Sequence, residues 1–499
     1  MATSNPPNRP LGLAPMEILP PELLTRIFDL CNLHPCTVAW ISHLEPSVAY
    51  PKHPQIDILT QVCSYWRRVA LASPKFWTHI DIVIDHSLSC SLFERTKHYA
   101  ARASPLPLDI HITDAGLKRD RSDLCDFAFL DADTVPIKSL KLNLKPHRRH
   151  LERRYIKIIE YFLAHSQSGI FTEYSIRAQS TSMGRWGFGS FLLPEAMDGE
   201  QDTQQGYTIR LSNNYLEQLW LPTRTLRVSG LCPPWSSQAY HGLLDLRLEE
   251  HAPRIRATQL VDILKASPEL RVLHLKVSVF GNVNGGERVT LKRLEVLYVA
   301  VEVCEYAETR ALTSGQILDL LSPGSNPLQF GYLRYRGTDK ELLQNFVTRS
   351  NITFLFVEGS TLFRLPDAVR SVGHLRTLVV DGSRFQGRDA GLLLNKDHFA
   401  IDWYPSETTI PQIKTIYISG FLTHYLESLL EAAGRYSVQE VVICGGGLVY
   451  KKGSDTVLIP ESGKESIVAK LATISSCPSV QYYADNSPLP IDLNDWKSY

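Results

Sequence analysis

Ile18-Leu19-Pro20-Pro21-Glu22-Leu23-Leu24-Thr25-Arg26-Ile27-Phe28, completed by Ile58-Leu59-Thr60-Gln61-Val62-Cys63-Ser64-Tyr65-Trp66-Arg67-Arg68-Val69-Ala70, is the stretch to which the rest of the chain is tied. In the first segment Leu19, Leu23, Ile27 and Cys31 recur every fourth residue with Leu24 and Phe28 beside them, while Glu22, Thr25, Arg26 and Asp29 take the opposite side. That spacing predicts a helix with one wide apolar face. Pro20 and Pro21 suit its first turn, where an amide hydrogen has no intrahelical acceptor, and Glu22 stands where the helix dipole favours an anion. The second segment opens at Asp57, a good N-cap, carries Ile58, Leu59, Val62, Cys63, Trp66, Val69 and Ala70 on one side, and stops at Ser73-Pro74. Two such short helices display more apolar area than they cover on each other. The pair must therefore bury its outer surface against the following domain, another chain, or both.

The order Leu-Pro-x-Glu-Leu-Leu-x-x-Ile-Phe, then Val-Cys-x-x-Trp-Arg-x-Val-Ala, then Phe76-Trp77 and an extended Ile80-Asp81-Ile82-Val83, resembles an F-box of the fungal type over residues 16–83. Family members often join the two helices by a short turn, whereas here His34 to Ile56 intervene, with Pro35, Pro46, Pro51 and Pro54. The resemblance implies that this segment docks a Skp-type adaptor and, through it, a cullin. The chain would then be a non-catalytic, substrate-recognition subunit of a ubiquitin ligase. By position, the resemblance assigns Leu19, Pro20, Leu23, Leu24, Ile27, Phe28, Leu59, Val62, Cys63 and Trp66 to the adaptor. An amphipathic hairpin that only caps a core is the alternative.

A chain of 499 residues exceeds one compact core of about 250–300 residues, so several domains or a repeat architecture is expected. Hydrophobic content of 44%, charged content of 21%, and 52 basic against 52 acidic residues describe a folded protein with no general attraction to nucleic acid or an anionic membrane. No run approaches the ~20 apolar residues of a membrane span, and Met1 to Pro15 lacks a signal sequence, so this tail is expected to be disordered and the chain cytoplasmic or nuclear. Nine scattered cysteines read as reduced thiols.

Beyond residue 77 the pattern turns to strand and helix in alternation. Ile80, Ile82 and Ile84 alternate, Leu92 to Ala103 reads as a helix, and Leu106 to Ile112 and Ile137 to Leu144 alternate again. Later an apolar-x-x-apolar-x-apolar unit recurs at 243/246/248, 270/273/275, 294/297/299, 330/333/335, 352/355/357, 375/378/380, 413/416/418 and 438/441/443. Helical candidates lie between the units: Ala257 to Ala266, Ser314 to Leu321, Asp339 to Val347 and Phe421 to Ala433. The spacing is mostly that of leucine-rich repeats, and residues 84–499 resemble the repeat domains that commonly follow an F-box. The fold expected is thus a small all-α F-box followed by an irregular leucine-rich-repeat-like β/α solenoid with a parallel sheet, with a non-solenoid α/β domain as the alternative. The Asn or Cys that regular repeats carry after each unit is missing, and 145–215 has no clear period.

Chemistry-bearing motifs are few. The chain has no G-x-S-x-G, phosphate-loop or H-E-x-x-H motif, Cys444-Gly445-Gly446-Gly447 reads as a turn, and Cys31, His34 and Cys36 have no second ligand pair at zinc spacing. No catalytic residue, cofactor or metal is expected, although an enzyme with a site assembled from distant residues, or a pure repeat scaffold, stays open. The basic run Lys145 to Arg154 could hold a phosphorylated or acidic target through paired guanidinium bonds, but a solvated helix start or loop edge is the favoured account. Within each unit the residue between the last two anchors should face away from the core, which places Arg247, His274, Tyr298, Arg334, Phe356, Val379, Tyr417 and Val442 in one row. Its aromatic and basic members, Arg247, His274, Tyr298, Arg334, Phe356 and Tyr417, are the expected target-binding face.

Overall fold

Helix α1 (Pro21–Cys31) starts where Pro21 fits the first turn, with the Leu24 amide donating to the Pro20 carbonyl at 3.1 Å. The computed structural model describes residues 19–31, 55–84, 89–114, 136–145, 153–178, 189–195, 206–249, 251–282, 288–301, 311–333, 339–358, 372–381, 413–419, 438–444, 449–452, 455–458 and 479–483. The N-terminal tail, most of the 34–56 insertion and the helix expected at Phe421 to Ala433 lie outside these residues. The chain forms two compact units, Met1–Gly187 with Leu192–Thr223, and Phe188–Phe191 with Arg224–Tyr499.

In the first unit the single helix expected after Asp57 is two helices, α2 (Gln55–Val62) and α3 (Ser64–Leu71). The break is at Cys63, whose backbone is extended (φ −157°, ψ 170°) and whose thiol accepts from the Trp66 amide at 3.4 Å. Asp57 therefore sits inside the first turn of α2 rather than at its cap, and its carboxylate takes the Tyr99 hydroxyl. The turn at Cys63 lets Trp66 meet Phe28 edge-on, with ring centroids 5.1 Å apart; Phe28 also meets Phe76 at 5.8 Å. Leu24, Phe28, Ile56, Val69, Ala70, Phe76 and Trp77 are buried, and the Trp77 indole donates to the Ala70 carbonyl at 3.0 Å.

Trp77 leads into β1 (His79–Ile84), followed by α4 (Ser89–Ala103), β2 (Leu108–Asp114), β3 (Ile137–Leu144), α5 (Arg153–Ala164), β4 (Glu173–Ala178) and α6 (Asn213–Trp220). The four strands pair in parallel in sequence order, which requires crossovers such as α4 and α5 between neighbours. Ile80, Ile82, Ile110, Ile112, Leu140, Leu142, Tyr174 and Ile176 are buried along the sheet. Tyr99 of α4 stacks edge-on against Trp77 at 5.0 Å, so the helical trio is packed onto the start of this sheet.

The second unit is built on ten parallel strands, again neighbours in sequence order: β5 (Thr225–Ser229), β6 (Asp245–Leu248), β7 (Val272–Leu275), β8 (Val296–Val299), β9 (Leu328–Tyr332), β10 (Ile352–Glu358), β11 (Thr377–Asp381), β12 (Thr415–Ser419), β13 (Glu440–Cys444) and β14 (Val480–Tyr483). Helices α7 (Ala257–Lys265), α8 (Ser314–Asp319) and α9 (Lys340–Arg349) lie within a residue or two of the positions expected from the sequence. The architecture is mixed α/β with a large parallel sheet. Register corrects one repeat unit: Phe330, not Leu333, pairs with Leu297 and Leu355, so the middle anchors are Leu246, Leu273, Leu297, Phe330, Leu355, Leu378, Ile416 and Val441. All eight are buried. Among the described residues no helix is long and apolar enough to cross a membrane.

Candidate functional site

The ten residues that the F-box resemblance assigns to an adaptor divide by burial. Leu24 and Phe28 are fully inside the helical trio, so they build the surface rather than form it. Leu19, Ile27, Leu59, Cys63 and Trp66 are half-buried, and Pro20, Leu23 and Val62 are exposed. Leu23 at 54% and Val62 at 55% exposure are joined by Ile58 at 54%, Leu30 at 53% and Leu71 at 41%. Leu23 and Leu30 are seven residues apart on α1, and Ile58 and Val62 four apart on α2, so each pair shares one helix face. Among the described residues, five of the eight large exposed hydrophobics belong to this trio. Polar contacts link its parts: Tyr65 donates to the Leu19 carbonyl at 2.6 Å, Arg67 Nε to the Thr60 carbonyl at 2.8 Å, and Lys75 pairs with Asp29 at 2.7 Å.

The expected target-binding row is corrected in two ways. Parallel register aligns Arg247, His274, Tyr298, Phe356, Val379, Tyr417 and Val442 as expected, but Gly331 takes the place given to Arg334, which lies outside the described residues. Nor is the row an open face. His274, Tyr298, Phe356, Val379, Tyr417 and Val442 are each buried, and from Tyr298 onward they form an apolar cluster with Ala300, Leu333 and Cys444. The physical reason is that a parallel sheet is covered on both faces, so its strands carry near-continuous apolar runs. Leu378-Val379-Val380 and Ile416-Tyr417-Ile418 show such runs, and that signal favoured burial over binding.

At the β5 to β8 end the same face carries paired charges. Asp245 bridges Arg227 at 2.7 Å and Arg247 at 3.0 Å, Glu249 holds Lys276 at 2.5 Å, and the Lys276 ammonium lies 5.0 Å from the centre of the Tyr298 ring. These cations are internally committed. His274 sits among them, and burial first, then the charges of Arg247, Lys276 and Arg227, hold its imidazolium pKa well below the usual value. In the unfolded chain the same imidazole takes a proton below about pH 6.5, so the unfolded state binds more protons there. Stability should be level above about pH 6.5 and fall as pH drops from there toward the folded-state value, at up to roughly 1.4 kcal/mol per pH unit. Urea denaturation of the wild type and His274→Gln from pH 7.5 to 5 should show the variant losing less stability; parallel curves would contradict this origin.

A concave surface of about 930 Å³ lies at the N-terminal ends of β9 to β11. Gln329, Arg349, Asn351, Phe354, His374 and Arg376 line it. Arg349 is spent on the Leu318 and Leu321 carbonyls at 2.7 and 3.0 Å, and Asn351 on the Ser325 carbonyl at 3.0 Å. Gln329, His374 and Arg376 are exposed at the opening, beside the half-buried Phe354 ring. Of the basic run, Arg153 and Arg154 open α5, Arg154 donates to the Tyr155 hydroxyl at 2.8 Å, and 146–152 lie outside the described residues. Compared with protein-family models and with curated proteins, the chain matches none.

Proposed function

We propose that this chain is the substrate receptor of a Skp-, cullin- and F-box-type ubiquitin ligase, with the F-box over 16–83 and an irregular leucine-rich-repeat-like solenoid over 84–499. The observation that supports this reading is the exposure of the apolar residues Leu23, Ile58 and Val62 on helices whose core includes the motif residues Leu24 and Phe28, with Trp66 edge-on to Phe28. Apolar area of this kind is stabilised by a partner that buries it, and the residue order that resembles an F-box names an adaptor as that partner. The receptor is non-catalytic, and ubiquitin transfer belongs to the partner subunits.

Target recognition then falls to the cleft at the N-terminal ends of β9 to β11, because the sheet row is buried. Exposed Arg376 and His374 beside Phe354 suit a peptide segment with an acidic or phosphorylated side chain next to an apolar one. The test is capture by the full-length chain of a purified Skp-type adaptor, expected at micromolar affinity or tighter, about −8 kcal/mol. Absence of capture would leave the repeat-scaffold reading. In cells, Arg376→Glu with His374→Glu should leave adaptor capture intact while proteins that co-purify after proteasome inhibition are lost; unchanged co-purification moves target binding away from the cleft.

A further inference from the structure

Parallel pairing of β1 with β2 sets His79 opposite Asp109 and Asp81 opposite His111. Residues 79 and 81 are two apart on one strand and 111 lies across from 81, so all three share one face of the sheet. There His79 Nε2 is 3.2 Å from Asp81 Oδ1, and the His79 and His111 rings lie 4.4 Å apart at 73°. One ligand atom from each residue lies within 4.8 Å of the other two. The side chains of His79 and Asp81 are only 17% and 12% exposed, and His111 is likewise half-buried, so this is a sheltered cluster rather than a chance meeting of surface groups.

A tetrahedral zinc ion with bonds of about 2.0–2.1 Å to nitrogen and oxygen sets adjacent ligand atoms roughly 3.3 Å apart. His79 and Asp81 already have that separation, and a ligand atom of His111 lies within 4.8 Å of both. We propose that His79, Asp81 and His111 form a binding site for a divalent transition-metal ion, zinc foremost, with the remaining position open to water. Two imidazoles and one carboxylate are the donor set such ions take, and three protein ligands leave the fourth position for an exchangeable one. Lys141, opposite His111 on β3, is paired with Glu173 at 3.1 Å, so part of its charge is answered away from the cluster. An ion here ties β1, the strand directly after the helical trio, to β2. The sequence carries no metal-site spacing because the ligands converge only when two parallel strands pair across a helical crossover.

The experiment uses the full-length chain, with cysteines alkylated so that thiolates cannot compete, stripped with EDTA and titrated with Zn²⁺ against a chromogenic chelator. One equivalent should bind at micromolar affinity or tighter, and saturation should raise Tm by a few degrees. His111→Ala and Asp81→Asn should each weaken that equivalent by more than about 100-fold, at least the loss seen when only a supporting residue is removed. Asp81→Asn is close to isosteric and keeps the test decisive if His111→Ala is poorly folded. No uptake by the wild type, or equal uptake by wild type and Asp81→Asn, would overturn the site and leave the contact a His–Asp hydrogen bond alone.

Discussion

Leu23→Asp combined with Val62→Asp abolishes capture of a Skp-type adaptor and leaves the melting temperature of the chain nearly unchanged. The two side chains are 54% and 55% exposed, so in the free protein each carboxylate remains in water, and substitutions of this kind usually shift stability by no more than about 0.5 kcal/mol. In the docked state the same carboxylates would be trapped against apolar surface, at a cost of roughly 2 kcal/mol or more each. Two such penalties weaken binding about a thousandfold, enough to empty a pull-down at micromolar protein. The pair is a cleaner probe than Leu24 with Trp66, since Leu24 is fully buried and its replacement breaks the helical trio before docking can be read. Retained capture by a folded double variant would remove the exposed row from the docking surface and the F-box reading with it.

Phe28→Ala unfolds the helical trio. Phe28 is completely buried and makes edge-on contacts with Trp66 at 5.1 Å and Phe76 at 5.8 Å. Truncating a ring in such a site costs about 3–5 kcal/mol, through lost transfer energy and the cavity left among neighbours that cannot collapse. A unit with a total margin of about 5–15 kcal/mol keeps little after that loss. The expected result is early proteolysis within 55–84 and a urea midpoint well below that of the wild type, with adaptor capture lost as a consequence. Phe28→Leu, which retains most of the volume, should recover most of both. A destabilisation under about 1 kcal/mol would mean that α1 and α3 do not pack as a core.

Much of the helical and strand content was legible before any coordinates. The helices at Ala257, Ser314 and Lys340 and the strands around Leu246, Leu273, Leu297 and Leu378 announce themselves through periods of 3.6 and 2 in apolar residues, and those periods are local. Helix α5 and strand β4 were hidden, although Tyr155, Ile156, Ile158, Ile159, Phe162 and Leu163 carry the helical signal, because the preceding basic run and the aperiodic stretch after it masked the boundaries. The unit around Phe330 slipped by three residues because Leu333 also satisfies the apolar pattern; strand pairing with Leu297 and Leu355 decides between them.

The sequence by itself determined that an amphipathic helical segment with F-box-like order precedes a long alternation of strands and helices, since each of these depends on residues a few positions apart. Tertiary structure alone decided which apolar side chains are left for a partner. Leu23 and Leu24 are equally apolar and adjacent, yet one is half exposed and the other sealed inside the trio, because a helix turns only one face toward its neighbours. It also decided that Tyr298 and Phe356 are core residues and that His79, Asp81 and His111 meet. Alternation along a strand divides side chains between two faces, but whether a face is covered, and what the next strand places beside it, depends on packing between segments far apart in the chain.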